Sequence, residues 1–163
     1  MEAVSATKMR RSQEFALNAR PYALAGLEML HNLYTRTSVL PKLMQSREIK
    51  KSALLVITSD KGLAGAFNTN VIRQAERWVA EKKNPDIPFA FFTVGKKAKD
   101  YFERRGVEIS KSFVGYGDLS LFAETMEVSE TVLKGFLAED FDEVQVIYTH
   151  FRTTLRQEVF NRK

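Results

Sequence analysis

The chain contains no cysteine and no long apolar run. Without cysteine among its 163 residues, disulfides, thiolate metal sites and thiol nucleophiles are excluded, and a reducing compartment is weakly favoured. The longest apolar stretches, residues 53–57 and 88–94, have the length of strands and fall short of the roughly 18 residues that span a bilayer. The first residues also lack the apolar core of a signal peptide.

Histidine and the common nucleotide-binding signatures are scarce or missing. The two histidines, His31 and His150, have no companion at ligand spacing, so a metal site is not expected. The patterns G-x-x-x-x-G-K-[ST], G-x-G-x-x-G and G-x-S-x-G are all missing. From these patterns we expect no catalytic residue, no cofactor and no metal.

Basic residues are in excess, with a net charge of +5 and a pI near 9.5. This excess suits a slightly basic surface or an acidic partner, which could be nucleic acid, a membrane surface or a protein. The stretch Lys8-Met9-Arg10-Arg11 is its densest part near the N-terminus. No aromatic stacking platform accompanies it, so we expect no nucleic-acid partner, and an acidic protein fits at least as well.

Residues 1–34 are predicted to form one long helix, which Pro21 kinks rather than ends. Small and charged residues alternate along it, so it has no broad apolar stripe to bury in a small domain. We interpret it as one strand of a coiled coil whose other strand is not evident in the chain.

From Ser52 onward, strand and helix patterns alternate, which indicates an α/β domain. We therefore divide the chain into residues 1–45, the helix and its connector, and residues 46–163, the globular domain. Asp118 or Ser120 is predicted to cap the last helix. The predicted strands cover residues 53–59, 88–94, 107–114 and 143–151, with 155–160 as a candidate fifth, and the predicted helices cover 69–83, 96–105 and about 120–138.

The polar corner after the first strand is the natural place for a ligand in an α/β fold. Its glycines, Gly62 and Gly65, are favoured as a structural turn, and Asp60 as a turn or capping aspartate. Asn68 or Thr69 is predicted to cap the next helix. An anion site remains open as an alternative at the start of the following helix, where three lysines lie: Lys96, Lys97 and Lys99.

Two stretches resemble the gamma subunit of the F-type ATP synthase. The segment 58–68, TSDKGLAGAFN, is similar to that family's T-[ST]-D-[RK]-G-L-[CA]-G-[GA]-x-N signature, with Ala66 where glycine is usual. The first helix is similar to the family pattern M-x-x-V-x-x-x-K-M-R-[KR]-[AS]-Q followed by R-P-Y-A. Its matching residues are Met1, Val4, Lys8, Met9, Arg10, Arg11, Ser12, Gln13, Arg20, Pro21, Tyr22 and Ala23.

The resemblance implies a non-catalytic rotor shaft that couples ion flow to ATP synthesis or hydrolysis. Its implied fold is a Rossmann-like, mostly parallel open sheet of four to five strands with flanking helices, plus a helix that is half of an antiparallel coiled coil. The implied partners are the alpha and beta catalytic subunits, an epsilon-type subunit and the membrane c-ring. The implied location is the cytoplasmic face of a bacterial inner membrane, or its organellar equivalent.

Subunit contacts are expected at nine residues by the same resemblance. Lys8, Arg10 and Arg11 would face acidic loops of the catalytic subunits, and the connector 35–51 would lie toward the membrane ring. The full set is Met1, Lys8, Met9, Arg10, Arg11, Gln13, Asp60, Lys61 and Asn68. The alternative is a stand-alone nucleotide-responsive α/β binding module with a basic helical arm.

Overall fold

The computed structural model describes residues 2–83, 87–117, 122–153 and 156–163. Contacts divide them into two units, one formed by residues up to Ser46 and the other by most of the residues from Arg47 onward. The predicted caps of the last helix, Asp118 and Ser120, lie outside the described residues, as does Met1. No helix in the described part of the chain is long and apolar enough to cross a membrane.

Helix α1, Glu2–Arg36, dominates the first unit. Its 35 residues correspond to a rod of about 52 Å. Pro21 lies inside the helix and does not end it, as the sequence predicted, because losing one N–H breaks only one bond of the ladder. None of the α1 side chains that the structure describes, residues 6–36, is buried. A short 3-10 helix, Lys42–Met44, follows it.

The second unit is built on a five-stranded sheet of order β3-β2-β1-β4-β5. Four strands are parallel, and β5 runs antiparallel to β4. A mostly parallel sheet with flanking helices confirms the predicted α/β fold. The strands are β1 Ser52–Ile57, β2 Phe89–Val94, β3 Lys111–Phe113, β4 Glu143–Phe151 and β5 Gln157–Arg162.

Helices cover both faces of this sheet, so its strands are apolar on both sides. On one face, α2 (Phe67–Lys83) and α3 (Lys96–Glu103) bury a cluster that includes Trp78, Phe91 and Phe102. On the other face, α4 (Phe122–Leu137) packs through Val128, Val132 and Phe136 on a second cluster built around Leu55 and Phe92. The order of the strands reverses between β3 and β4, so the topological switch point lies between β1 and β4.

The third strand is much shorter than the predicted span 107–114. Helix α3 ends at Glu103, and Gly106 follows in the left-handed region with φ 68°. The N–H of Val107 then bonds back to the Phe102 carbonyl at 3.1 Å. This bond closes the end of the helix, so the Val107 N–H is not available to a strand. Val107 and Ile109 pack against the core. The alternation that predicted a strand therefore reflects the burial of these two side chains and not strand pairing.

The bounds of strand β5 and helix α2 also differ slightly from the prediction. Strand β5 begins at Gln157 and runs on to Arg162, two residues past its predicted end. Helix α2 begins at Phe67, so Asn68 lies in its first turn and is not the predicted cap. The reason is that its side chain is engaged elsewhere, as the next subsection shows.

Candidate functional site

The corner after β1 is tied to the start of α3 by Thr58. Its N–H donates to the Val94 carbonyl at 2.8 Å, which extends the β1–β2 ladder by one residue. Its hydroxyl oxygen accepts the N–H of Ala98 at 3.0 Å. A side chain from one strand therefore caps the first turn of a helix that follows the next strand, in the way an N-cap residue normally does from within.

Asp60 links two further backbone segments. One carboxylate oxygen accepts the Lys96 N–H at 2.7 Å, and the other accepts the Gly115 N–H at 2.8 Å. The carbonyl of Ser59 accepts the N–H of Lys97 at 3.2 Å. The corner thus joins β1, the start of α3 and the chain that leaves β3. These bonds support the interpretation of Asp60 as a structural aspartate.

The same bonds bear on the anion site that was considered at the start of α3. The first N–H of that helix already donates to a carboxylate of the protein itself, in the place where a free anion would bind. Lys99 forms an ion pair with Glu103 at 3.9 Å, one turn along the helix. The lysines therefore surround a helix end whose negative partner is built into the fold.

Asn68 closes the corner from the side of α2. Its Oδ1 accepts the Ser59 N–H at 3.0 Å, and its Nδ2 donates to the Ser59 hydroxyl oxygen at 2.9 Å. That hydroxyl donates to the Lys61 carbonyl at 2.6 Å. Because both amide atoms serve Ser59, Asn68 positions the loop instead of capping the helix.

Residues 61–66 form an exposed loop at this corner, with no polar side chain after Lys61. Gly65 takes a left-handed conformation, with φ 55°, as a tight turn requires. Leu63 also has a positive φ, 57°, and is fully exposed, which is unusual for a bulky residue. Nothing in the sequence pattern signalled this strain. Gly62 and Ala66 do not share the left-handed conformation.

Gly95 is the glycine on which the corner depends. It has φ 91°, and a Cβ built on it would lie 2.2 Å from the Thr58 carbonyl oxygen. Its N–H donates to the Phe113 carbonyl at 2.8 Å. Only a residue without a side chain permits β1 and the β2–α3 turn to approach this closely.

A buried charge cluster at the N-terminal ends of β1 and β4 was not predicted. Glu143, at the start of β4, is 4% exposed and accepts hydrogen bonds from Ser52 at 2.6 Å and Lys82 at 2.7 Å. Lys163 lies 3.1 Å from its other oxygen. Burial raises the pKa of Glu143, but the hydrogen bonds from Lys82, Ser52 and Lys163 outweigh it and lower the pKa to about 2.

This cluster is structural in character. Its members come from four elements or their ends, and the buried carboxylate is satisfied on both oxygens. It joins the starts of β1 and β4 to the end of α2 and the chain after β5. Glu143 is 91 positions from Ser52 and 61 positions from Lys82 in the sequence, so no local pattern could have predicted the cluster.

The two histidines belong to different units of the chain. His31 lies on exposed α1, and its carbonyl accepts the Thr35 hydroxyl at 3.0 Å. His150 lies in β4 with its ring 5.1 Å from that of Phe160. Across the part of the chain that the structure describes, no three histidine or carboxylate side chains are grouped to hold a metal ion.

The predicted contact residues of the first helix lie along exposed α1. Arg10 forms an ion pair with Glu14 at 3.0 Å, and Met9 is 51% exposed. Lys8 and Arg11 are also exposed, whereas Gln13 is half-buried. The structure does not bring these residues to Asp60, Lys61 and Asn68 within one unit. Their role in subunit contact stays a prediction.

Comparison with known proteins assigns the family. The sequence model of the ATP synthase family matches residues 1–163. The chain belongs to the ATP synthase family. This confirms the resemblance carried by residues 1–23 and 58–68.

Curated relatives in this family are ATP synthase gamma chains. That of Picosynechococcus sp. is 39% identical over 155 residues, covering 93% of this chain and 49% of the relative. That of Microcystis aeruginosa is 42% identical with the same coverage, and that of Desulforamulus reducens is 37% identical, covering 96% and 54%. The chain therefore spans about half the length of the curated relatives it matches.

Solved structures from ATP synthases share the fold. The central stalk/c-ring structure of the Tetrahymena thermophila mitochondrial ATP synthase matches with a TM-score of 0.72 at 23% identity, covering 99% of this chain and 69% of that one. A rotor structure of the Euglena gracilis enzyme matches with a TM-score of 0.51 at 16% identity, covering 96% and 60%.

Proposed function

We propose that this chain acts as a non-catalytic central-stalk (gamma) subunit of an F-type ATP synthase, coupling ion-driven rotation to ATP synthesis or hydrolysis in the catalytic hexamer. The observation that carries the proposal is the similarity to gamma chains across more than nine-tenths of the chain. That similarity includes α1, which has no buried side chain among those described and which a stand-alone domain would have little reason to keep.

The exposed apolar residues of α1 support a shaft with two contact faces. Successive residues of a helix are turned by about 100°, so spacings of seven and eleven residues return to nearly the same side. One face carries Phe15, Tyr22, Met29 and Leu33, which are between 43% and 87% exposed. The other, roughly opposite, carries Met9, Leu17, Leu24, Leu27 and Tyr34, and Leu30 lies between the two faces.

A helix with two exposed apolar faces needs two neighbours. We assign one face to a second helix that runs antiparallel to α1 in a coiled coil, and the other to the inner surface of the catalytic hexamer. The proposal keeps the division of the chain into residues 1–45 and 46–163, because the helix and the α/β unit then have different partners.

The partners in this proposal are the alpha and beta catalytic subunits, an epsilon-type subunit and the membrane c-ring. Lys8, Arg10 and Arg11 face acidic loops of the catalytic subunits, and Asp60, Lys61 and Asn68 lie at a subunit contact. The chain has a peripheral position on the cytoplasmic face of a bacterial inner membrane, or on the equivalent face in an organelle.

A chimeric gamma chain tests the proposal. Residues 1–163 replace the matching half of the Picosynechococcus gamma chain, and the chimera is expressed in cells that lack their own gamma chain. We expect membranes with ATP-driven proton pumping. Assembled enzyme that hydrolyses ATP without pumping, or no assembly with a chimera that is folded, contradicts the proposal.

Charge reversal in the same chimera tests the contact residues. The triple variant Lys8→Glu, Arg10→Glu and Arg11→Glu is expected to reduce assembly or pumping, because like charges would then face each other. The control is Arg73→Glu, Arg77→Glu and Arg104→Glu, which reverses three exposed charges of the α/β unit that the proposal assigns to no contact. Pumping that is unchanged in the triple variant counts against the assigned contacts.

The nucleotide-binding alternative has less support. The polar atoms of Ser59, Asp60 and Asn68 are engaged in bonds that close the corner. Calorimetry with ATP, ADP and NAD separates the two functions, since the stalk proposal predicts no heat of binding at this corner. Binding that is lost in Asp60→Ala would favour the alternative.

A further inference from the structure

The outer edge of β5 is an open strand edge. In the order of the sheet, β5 has a neighbouring strand on one side only, within the residues that the structure describes. Such an edge presents a row of backbone N–H and C=O groups to which another chain can bond. Strand edges of this kind recognise extended peptides by adding a strand.

The phase of the ladder identifies which groups point outward. The Arg152 N–H donates to the Arg156 carbonyl at 3.2 Å, so the backbone groups of Arg152 face β5 across the hairpin. In an antiparallel ladder every second residue bonds to the same neighbour. Alternation along the register therefore directs Glu158, Phe160 and Arg162 to β4 and leaves the backbone groups of Gln157, Val159 and Asn161 facing outward.

One face of this hairpin carries an aromatic floor. The ring of Phe160 stacks with that of Tyr148 at 6.2 Å and meets the His150 ring edge-on at 5.1 Å. The Arg162 guanidinium lies 5.0 Å above the Phe160 ring. The floor is half-buried, so it offers apolar surface as well as a platform that orients the neighbouring cations.

The same face is positively charged. Arg152 and Arg156 both contact the one carboxylate of Glu158, each at 2.7 Å. Two arginines therefore share one carboxylate, and a third, Arg162, lies on the same face over the Phe160 ring. All three are exposed, so the face retains positive charge to attract an acidic chain.

The opposite face offers space. A cleft of about 240 Å³ lies between β5, Thr149 of β4 and the loop that leads into α2, with Val159 and Phe67 among its lining residues. The hydroxyl oxygen of Thr149 is buried and has no hydrogen-bond partner among the described residues. The part of the cleft beside Gln157 and Val159 can take a small side chain of a strand placed next to β5.

We propose that the outer edge of β5 binds an extended acidic segment of another polypeptide, which adds a further strand to the sheet. Carboxylates on one side of the segment meet the three arginines, and small side chains on the other side enter the cleft. A nucleic acid matches the charge but not the alternating donors and acceptors of the strand edge. The inference does not depend on the central-stalk proposal.

Amide hydrogen exchange of the 163-residue chain tests the proposal. The probe is a peptide of about ten residues that alternates glutamate with threonine. We expect exchange at Val159 and Asn161 to slow about tenfold when the peptide is at about ten times its Kd, since exchange then requires its release. The amides of Glu158 and Phe160 already bond to β4 and should change little. Uniform change across β5, or none at saturating peptide, overturns the proposal.

A proline variant and its matched control locate the binding to the backbone edge. Asn161→Pro removes an outward N–H and leaves the ladder with β4 intact, whereas Asn161→Ala keeps the N–H. We expect the proline variant to lose at least about tenfold in affinity for the peptide and the alanine variant to keep wild-type affinity. Equal affinities overturn the strand-addition model.

Arg162→Glu keeps the test decisive if the proline variant unfolds. Its charge reversal should lower the affinity for the glutamate–threonine peptide and raise the affinity for a lysine–threonine peptide of the same length. Wild-type chain that binds the two peptides equally would show that the charge of the face does not select the partner.

Discussion

Helix α1 and the sheet unit differ in where their stability can come from. The described side chains of α1 are all at least partly exposed, whereas Leu54, Val56 and Phe91 in the sheet have no exposed surface. An isolated helix gains little beyond its own backbone bonds, and it is marginal even at considerable length. The sheet unit has two buried clusters of its own. The contrast suggests that the sheet unit folds independently and that α1 requires partners.

A single tryptophan makes the comparison measurable. Trp78 is the only tryptophan in the chain, and it is 3% exposed in the core of the sheet unit. Its fluorescence therefore follows unfolding of that unit, while far-ultraviolet circular dichroism also includes α1. If the two regions are independent, the two signals should change at different urea concentrations.

Phe91→Ala should produce the largest effect. Phe91 is fully buried, with its ring 4.7 Å from that of Phe102, and truncation leaves a cavity. We expect the free energy of unfolding from Trp78 fluorescence to fall by about 4 kcal/mol. The matched truncation Leu24→Ala on α1, at a residue 60% exposed, should leave that value unchanged. A similar loss in both variants would show that the two regions unfold together.

Gly95→Ala should lower the same free energy by about 3 kcal/mol, because a left-handed φ and a backbone clash act together. Gly106→Ala is the control, since it has φ 68° and no atom within 4 Å of the added Cβ. Strain alone should cost the control about 1 kcal/mol. If the two variants lose equal stability, the close approach of Thr58 is not what requires glycine.

Glu143→Gln should lower the free energy of unfolding by about 2 kcal/mol at neutral pH. This is less than the full pKa shift of Glu143 implies, because Lys82 and Lys163 keep part of their hydration. The pKa of Glu143 is about 2 in the folded state and 4.5 ordinarily. Its contribution is thus complete above pH 4.5 and is lost as the pH falls toward 2. The gap between wild type and variant should close over that range. A gap that stays constant with pH would mean that the carboxylate charge is not the cause.

The smallest effect is expected at Leu27→Gln on α1. Leu27 is 63% exposed, so the Trp78 transition should move by less than about 0.5 kcal/mol. Amides of residues 6–16 should also exchange rapidly in the isolated chain, since little packing holds them. Strong protection throughout this segment would contradict the contrast between the two regions.

The fold was predictable where periodicity reports on burial directly. Strand β4, Glu143–Phe151, has both predicted ends because β-branched and aromatic residues fill it up to the hairpin. The same reasoning failed at residues 107–109, where Val107 and Ile109 pack against the core without joining the ladder. Periodicity shows that a side chain is buried, but it does not show whether its backbone pairs with a strand.

The corner was predictable in part. Its position and the structural character of Asp60 follow from turn chemistry. The partners of Asp60, the N–H groups of Lys96 and Gly115, lie 36 and 55 residues away and left no local trace. The cluster around Glu143 escaped prediction for the same reason. Contacts of this kind depend on the order of the strands, which sequence patterns do not specify.

The bonds of Asp60 also have a mechanical consequence. A pull on the exposed loop 61–66 reaches β1 directly, and through the Asp60 carboxylate it reaches the start of α3 and the chain after β3. The load is thus divided among three neighbouring strands and does not peel one from the sheet. The corner thus distributes force among several elements. Replacing Asp60 by alanine would keep the fold but remove the two bonds through which the loop transmits force to α3 and to the chain after β3.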